Sequence, residues 1–401
     1  MNKHLTGVIG VALAAAMLFP SPAFADHRPG NVVVMGGTLS LTGRYAVQGG
    51  RHLNVRNLYV DELNGRGGLL GHKVELKIYD DKSDRRTAIE LYEKLITEDR
   101  VDIVLGPYSS HLSDPVANVM ERYKRPFIPH GSNPVIWQRG RKYVFRIVGR
   151  DAREYQKGAL HLAKKIGVKR IAIISPTDFA ARAFLSGALE WARKLGLEIV
   201  FQERYRKEQT DFAPLLRKIE ASGAEAIFAN TFYRDSVALI RQLRELAINV
   251  KMFAATVGPA LPKFVEELGG TAEYVVGSTS WEPKPHLLGH PGMKEFIESY
   301  EKRYGVKPNY HVADGYAAMQ VYEAAVKRAG SFDPEKVRDA LASIAVYTVK
   351  GQYKANEQGY STPIEGLTFQ IRSGKRVIVW PASMAEAKLL LMPKWEDRAK
   401  K

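Results

Sequence analysis

The feature that most constrains this chain is an alternation of short apolar strands with 3.6-period helices that runs through the sequence twice. In the first series the strands NVVVMGG (31–37), VELKIY (74–79) and VDIVLG (101–106) are separated by helical patterns over 49–64 and 86–99. In the second, KRIAIIS (169–175), LEIVFQ (197–202) and AEAIFAN (224–230) are separated by helical patterns over 180–196 and 212–223. Strands joined through helices must run parallel, so each series predicts a doubly wound α/β lobe. The breaks agree. Gly65 to Gly71, Gly167 and Gly196 end helices, and Pro214 sits in a first turn, where its missing N–H costs nothing. Gly36-Gly37-Thr38 is expected as a tight turn after the first strand.

Gly149, after the strand KYVFRIV (142–148), marks the change from one series to the other. KMFAAT (251–256) and EYVVGST (273–279) extend the second series, and the proline-rich 281–292 is expected to be irregular. Helices over 292–305, 311–330 and 333–344 follow, then a turn over 352–361. A closing strand pair at 366–372 and 375–380 should rejoin the second sheet.

Lys3 and His4 precede an apolar run from Val8 to Phe19, and Ala23-Phe24-Ala25 has the small-x-small form of a signal-peptidase site. Residues 1–25 therefore read as a secretory signal, which places the protein in the periplasm with Asp26 as its first mature residue. The run is too short for a stable bilayer span of ~20 residues. The remaining chain of about 375 residues suggests two domains. It contains no cysteine, which excludes disulfides, thiolate metal sites and a lipid-modified N-terminal cysteine.

The net charge is +16, falling to +15 without Lys3. Its basic residues are spread along helices (Lys164, Lys165, Arg241, Arg244, Lys302, Arg303) rather than gathered among aromatics, so nucleic acid is not expected. A positive field that draws in an organic anion is. No GxSxG, GxxxxGK[ST], GxGxxG or HExxH motif is present. His286 and His290 have i,i+4 spacing, but among prolines that disfavour a helix. The chain reads as no enzyme, without catalytic residue, metal or cofactor.

Within 101–134, VDIVLGPYSSHLSDPVANVMERYKRPFIPHGSNP reads as strand, glycine turn, helix start, second strand and second polar turn. Ser109, Ser110 and Ser113 suit a helix N-terminus, and Gly131, Ser132 and Asn133 form the other turn. Turns at the carboxyl edge of a parallel sheet can grip a carboxylate; the alternative is that these serines only cap helices.

The succession LSLTGRYAVQG, NGRGGLLGHKVELKIYDDKSD, VDIVLGPYSS, RPFIPHGSNP, VKRIAIISPTDFA, GAEAIFAN and YHVADGYAAMQ resembles the branched-chain amino-acid type of periplasmic solute-binding protein of ATP-driven (ABC) importers. The resemblance implies two doubly wound lobes (periplasmic binding protein type I) joined by a three-strand hinge: 26–149 plus 280–366, and 150–279 plus 367–401. It also implies a monomer that closes on a small solute and hands it to a membrane permease.

Site residues carry over by position. Ser110 and Ser132 match hydroxyls at the ligand carboxylate, and His130 a backbone carbonyl. Phe179 and Phe232 match the second-lobe aromatics, Tyr45 and Gln48 lie near the mouth, and His311 lines the side-chain pocket. Thr256 stands where amino-acid binders place an acid for the ligand ammonium. An α-amino acid is thereby disfavoured, and an aromatic or aliphatic organic acid is expected. Binding of a branched-chain or other amino acid or amide, or a secreted sensor presenting the solute to a membrane receptor, stays open.

Overall fold

The computed structural model describes residues 32–147, 149, 151–361 and 366–398; the predicted leader, residues 1–25, lies outside them. In chain order the elements are β1 (Val32–Leu39), α1 (Ala46–Gly65), β2 (Lys73–Asp80), α2 (Arg85–Thr97), β3 (Ile103–Leu105), α3 (Ser110–Arg122), α4 (Lys157–Lys165), β4 (Arg170–Pro176), α5 (Phe179–Lys194), β5 (Glu198–Tyr205), α6 (Ala213–Ala221), β6 (Ala226–Ala229), α7 (Tyr233–Glu245), β7 (Met252–Ala255), α8 (Pro262–Leu268) and β8 (Val276–Thr279). There follow α9 (Pro285–Leu288), α10 (Met293–Tyr304), α11 (Tyr310–Ala329), α12 (Pro334–Ser343), β9 (Ala345–Thr348), β10 (Gly351–Lys354), β11 (Leu367–Arg372), β12 (Lys375–Trp380) and α13 (Trp395–Arg398).

Two sheet systems carry the fold, as the doubled alternation predicts. One is parallel with strand order β2-β1-β3; the other runs β12-β11-β8-β7-β6-β4-β5, with β11 alone reversed and so antiparallel to both β8 and β12. The closing strands thus rejoin the second sheet, and β9 with β10 form a separate antiparallel pair. Inner strands β4, β6 and β7 are apolar on both faces because helices cover both. Residues of α11 and α12, among them Met319, Tyr322 and Leu341, share a core with Met35, Ile103 and Leu105 of the first sheet.

Several local expectations are corrected. Gly36 and Gly37 lie inside β1 rather than in a turn. A β-carbon at Gly37 would fall 2.5 Å from the Leu105 carbonyl oxygen, and at Gly36 2.5 Å from Val101 Cγ1, so these glycines let β3 and its approach pack onto β1. Over 125–130 and 142–147 the chain forms no strand and makes only isolated bridges, Tyr108 with His130, Phe127 with Val144 and Arg146 with Tyr360. Pro126 and Pro129 lack the N–H a longer ladder needs. Gln352 to Lys354 belong to β10, so the predicted turn begins later. The proline-rich 281–292 includes the single helical turn α9. Helices α4 and α7 carry Lys164, Lys165, Arg241 and Arg244, which the sequence placed on helices without bounds.

Candidate functional site

A cavity of ≈ 70 Å³ lies where the two sheet systems meet. At ~10–15 Å³ per enclosed water it holds about five to seven waters, room for a small organic molecule. Its walls come from the turns after β3 (Ser109, Ser110), β6 (Phe232), β7 (Val257) and β8 (Ser280), from the second polar turn (His130, Ser132), and from α5 and α11. These are carboxyl ends of strands, where open α/β sheets bind ligands.

The serine turns divide their labour. Ser109 caps α3, accepting from His111 N–H at 3.2 Å, and the Ser113 hydroxyl donates back to the Ser109 carbonyl at 2.7 Å. Ser110 does neither. Its Oγ accepts the backbone N–H of Ser132 and of Asn133, each at 3.1 Å, which leaves its own proton to donate. The two turns are further joined by Ser109 N–H to the His130 carbonyl at 3.1 Å. That carbonyl, expected to face the ligand, therefore spends one lone pair on the turn. Gly131 fits beside them because a β-carbon there would lie 2.6 Å from Ile136 Cδ1 and 3.0 Å from Ser110 Oγ.

Of the residues expected from sequence, Ser110, Ser132, His130, Phe232 and His311 line the cavity, and four do not. Phe179 opens α5, where its carbonyl accepts from Asn133 Nδ2 at 3.3 Å; Ala180 and Phe184 face the cavity instead. Tyr45 packs edge-on behind the lining Tyr108, centroids 5.6 Å apart, and Gln48 is buried in α1. Thr256 is fully buried, its hydroxyl donating to the Thr231 carbonyl at 2.7 Å, and Val257 lines the wall.

The sequence reading missed Tyr108, Arg146, Tyr155, Phe184, Ser280, Tyr310 and Asp314, all lining residues. Two carried a signal. Arg146 is a cation inside an apolar strand pattern, and Asp314 lies three residues beyond His311 on a helix of mostly apolar residues.

The rings form two groups. His52 contacts His130 at 4.4 Å, and His311 contacts Tyr310 at 3.9 Å and Tyr108 at 5.1 Å. On the other side Phe184 touches Tyr155 at 4.7 Å and Phe232 at 6.2 Å. Burial keeps the imidazoles neutral, pushing His52 down to about 3, with Arg56 beside it adding to the effect, and holding His130 and His311 well below the usual histidine range.

The charges are few. Asp314 pairs with the fully buried Lys350, whose Nζ also donates to Ser280 Oγ at 3.0 Å. Burial raises the Asp314 carboxyl, and Lys350 and Arg146 oppose it. As an ion pair Asp314 and Lys350 are neutral overall. Arg146, 3% exposed, has its guanidinium 4.3 Å from the Tyr360 ring and 5.4 Å from Trp137, and its Nη1 has no partner among the described residues. Among the described residues, the lining side chains and Lys350 thus carry one uncompensated positive charge.

Such a cleft between two α/β sheet systems is that of a periplasmic binding protein, and a family model of that description matches residues 32–369; the chain belongs to this family. Within it the chain is a type I, branched-chain amino-acid type solute-binding protein of an ABC importer. An amino acid binding protein of Pseudomonas aeruginosa is 27% identical over 90% of this chain and 94% of its own. Two solved structures share the fold. A leucine binding protein from Thermotoga maritima has TM-score 0.78 and 24% identity, covering 86% of this chain and 97% of its own. A solute binding protein from Rhodopseudomonas palustris BisB5, in complex with 3,4-dihydroxy benzoic acid, has TM-score 0.77 and 19% identity, covering 90% and 98%. Proteins of this kind are not enzymes; they act outside the cytoplasm and deliver small molecules to ABC permeases.

Proposed function

We propose that this protein captures a small organic monocarboxylate lacking an ammonium group, aromatic or aliphatic, and passes it to an importer permease in the periplasm. The observation that carries this is the charge of the cavity. Among the described residues the guanidinium of Arg146, whose Nη1 has no hydrogen-bond partner, shares the cavity with the free proton of Ser110, while the only lining carboxylate, Asp314, is already paired with Lys350. A monoanion neutralises that cavity. A zwitterionic amino acid leaves it positive, which a dry cleft penalises.

Residues 26–149 with 280–366 are proposed as one lobe and 150–279 with 367–401 as the other, closing by hinge bending. A monomer accounts for binding, because every proposed contact comes from one chain. Binding of an amino acid or amide is the second possibility, favoured by the name of the Pseudomonas relative.

Calorimetry with benzoate, cinnamate, valerate, leucine, isoleucine and valine tests the ligand class. At least one amine-free carboxylate should bind at micromolar or tighter affinity, and the amino acids should not. Tight binding of leucine with no response to any amine-free acid would replace this function with amino-acid capture. Small-angle scattering should show a smaller radius when that acid is saturating.

A further inference from the structure

Ser280 and Asp314 share the cavity wall and both contact Lys350, a residue with no exposed surface. Ser280 follows β8, Asp314 lies on α11, and Lys350 sits between β9 and β10, so three separate segments converge on one polar point. Lys350 Nζ donates to Ser280 Oγ at 3.0 Å, which leaves the serine proton free to donate elsewhere. Lys350 also donates to Asp314 Oδ1, while Asp314 Oδ2 accepts no hydrogen bond among the described residues. Lys350 is held from behind, its backbone N–H donating to Thr348 Oγ1 at 3.1 Å.

A free donor thus stands beside a free acceptor, both fixed by one buried ammonium. An ion pair that only stabilised the fold could be replaced by apolar residues of similar volume without loss. This one keeps an open side toward the ligand space: the Asp314 side chain is 20% exposed and that of Lys350 0%.

Resting on the carboxylate reading above, we infer that Ser280 and Asp314 form a second polar subsite that recognises a hydroxyl group on the solute, so the ligand is a hydroxylated carboxylate. The hydroxyl accepts from Ser280 and donates to Asp314. Because it is neutral, it adds no charge beside Lys350. An ammonium cannot accept from Ser280 and would meet Lys350 as a like charge.

The test compares benzoate, cinnamate and valerate with their singly hydroxylated forms, each positional isomer in turn, by calorimetry on the mature protein. At least one hydroxylated acid should bind about tenfold or more tightly than its parent, since a site that pairs a hydroxyl rejects the analogue lacking it. Ser280→Ala should collapse that ratio, and so should the double variant Asp314→Asn with Lys350→Met. Ser280→Ala keeps the question answerable should the double variant fail to fold. Parent acids that bind as tightly as every hydroxylated form, or a preference that survives both variants, would overturn the subsite and leave the carboxylate grip standing. If no acid binds at all, the carboxylate reading itself fails, and the subsite with it.

Discussion

The hydroxyl oxygen of Ser110 lies 3.1 Å from the backbone nitrogen of Ser132, so the residue that offers its proton to the cavity also clamps the facing turn. A second N–H, from Asn133, shares that oxygen at the same distance. The two serines are therefore unequal. Ser110→Ala removes the proposed ligand donor and leaves two backbone N–H groups without their acceptor, whereas Ser132→Ala removes one hydroxyl.

We expect Ser110→Ala to weaken carboxylate binding by about 2–4 kcal/mol and to lower the melting temperature, against about 1 kcal/mol and little thermal effect for Ser132→Ala. Calorimetry and a melt of each variant decide it. Equal small effects in both would make Ser110 a turn residue with no contact to ligand.

Arg44 should latch the closed cleft. It follows β1, yet Nη1 binds the Asp178 carboxylate at 2.8 Å and its guanidinium lies 4.9 Å from the Phe232 ring, both on the other sheet system. Asn133 to the Phe179 carbonyl is a second tie of the same kind. On the proposed closure both ties form as the lobes meet, so Arg44→Ala should act on dissociation more than association. Stopped-flow binding should show a several-fold faster off-rate and a nearly constant on-rate; the reverse pattern would mean that Arg44 steers the encounter instead.

What was legible in the sequence follows from which forces are local. Apolar periodicity and glycine breaks mark strands and helices, so both sheet systems and the serine turns could be read directly. The pocket wall was less legible because its side chains depend on register. Along β7 and just beyond it a shift of one residue exchanges the faces of the strand, which separates Thr256, turned to the Thr231 carbonyl, from the lining Val257. On α5 the lining residues Ala180 and Phe184 are four apart on one face, and Phe179 belongs to another. Lys350 gave no local signal, since only long-range folding brings it to Asp314 and Ser280.

Stability should fall with pH in the window where histidine titrates. Burial holds His52 down to about 3, with the Arg56 charge second. His130 is lowered by burial and by His52, Arg56, His311 and Lys350, and His311 by burial and by His52, Arg51 and Lys350. Because their folded pKa values lie below the unfolded ~6.5, the unfolded chain takes up protons first as pH drops. Their neutral burial therefore costs nothing above about pH 7, and it removes up to about 1.4 kcal/mol per pH unit per histidine below about 6.5. Urea midpoints at pH 7.5, 6.0 and 5.0 should decline steadily, and His52→Phe should flatten the slope. A constant midpoint down to pH 5 would mean that these rings protonate within the fold.

Arg146 should trade stability for affinity. Burial lowers its guanidinium to about 10, and the nearby Asp151 opposes that. Yet Asp151 is engaged by Arg153, at 3.0 Å, and by the Tyr360 hydroxyl, also at 3.0 Å. Arg146 Nη1 has no hydrogen-bond partner among the described residues and the group faces aromatic rings and the cavity, an arrangement that costs free energy in the empty protein and that the proposed anion would relieve. Arg146→Met should therefore leave the ligand-free melting temperature unchanged or higher while weakening a bound carboxylate by about 1–3 kcal/mol. Arg146→Lys keeps the charge but loses the planar group that stacks on Tyr360, and should fall between. The loss should depend little on salt, because a buried pair is poorly screened. Melts without ligand and calorimetry at low and high ionic strength check both halves. A variant that melts earlier and binds the acid as tightly as the original would make Arg146 a structural strut that the ligand never meets.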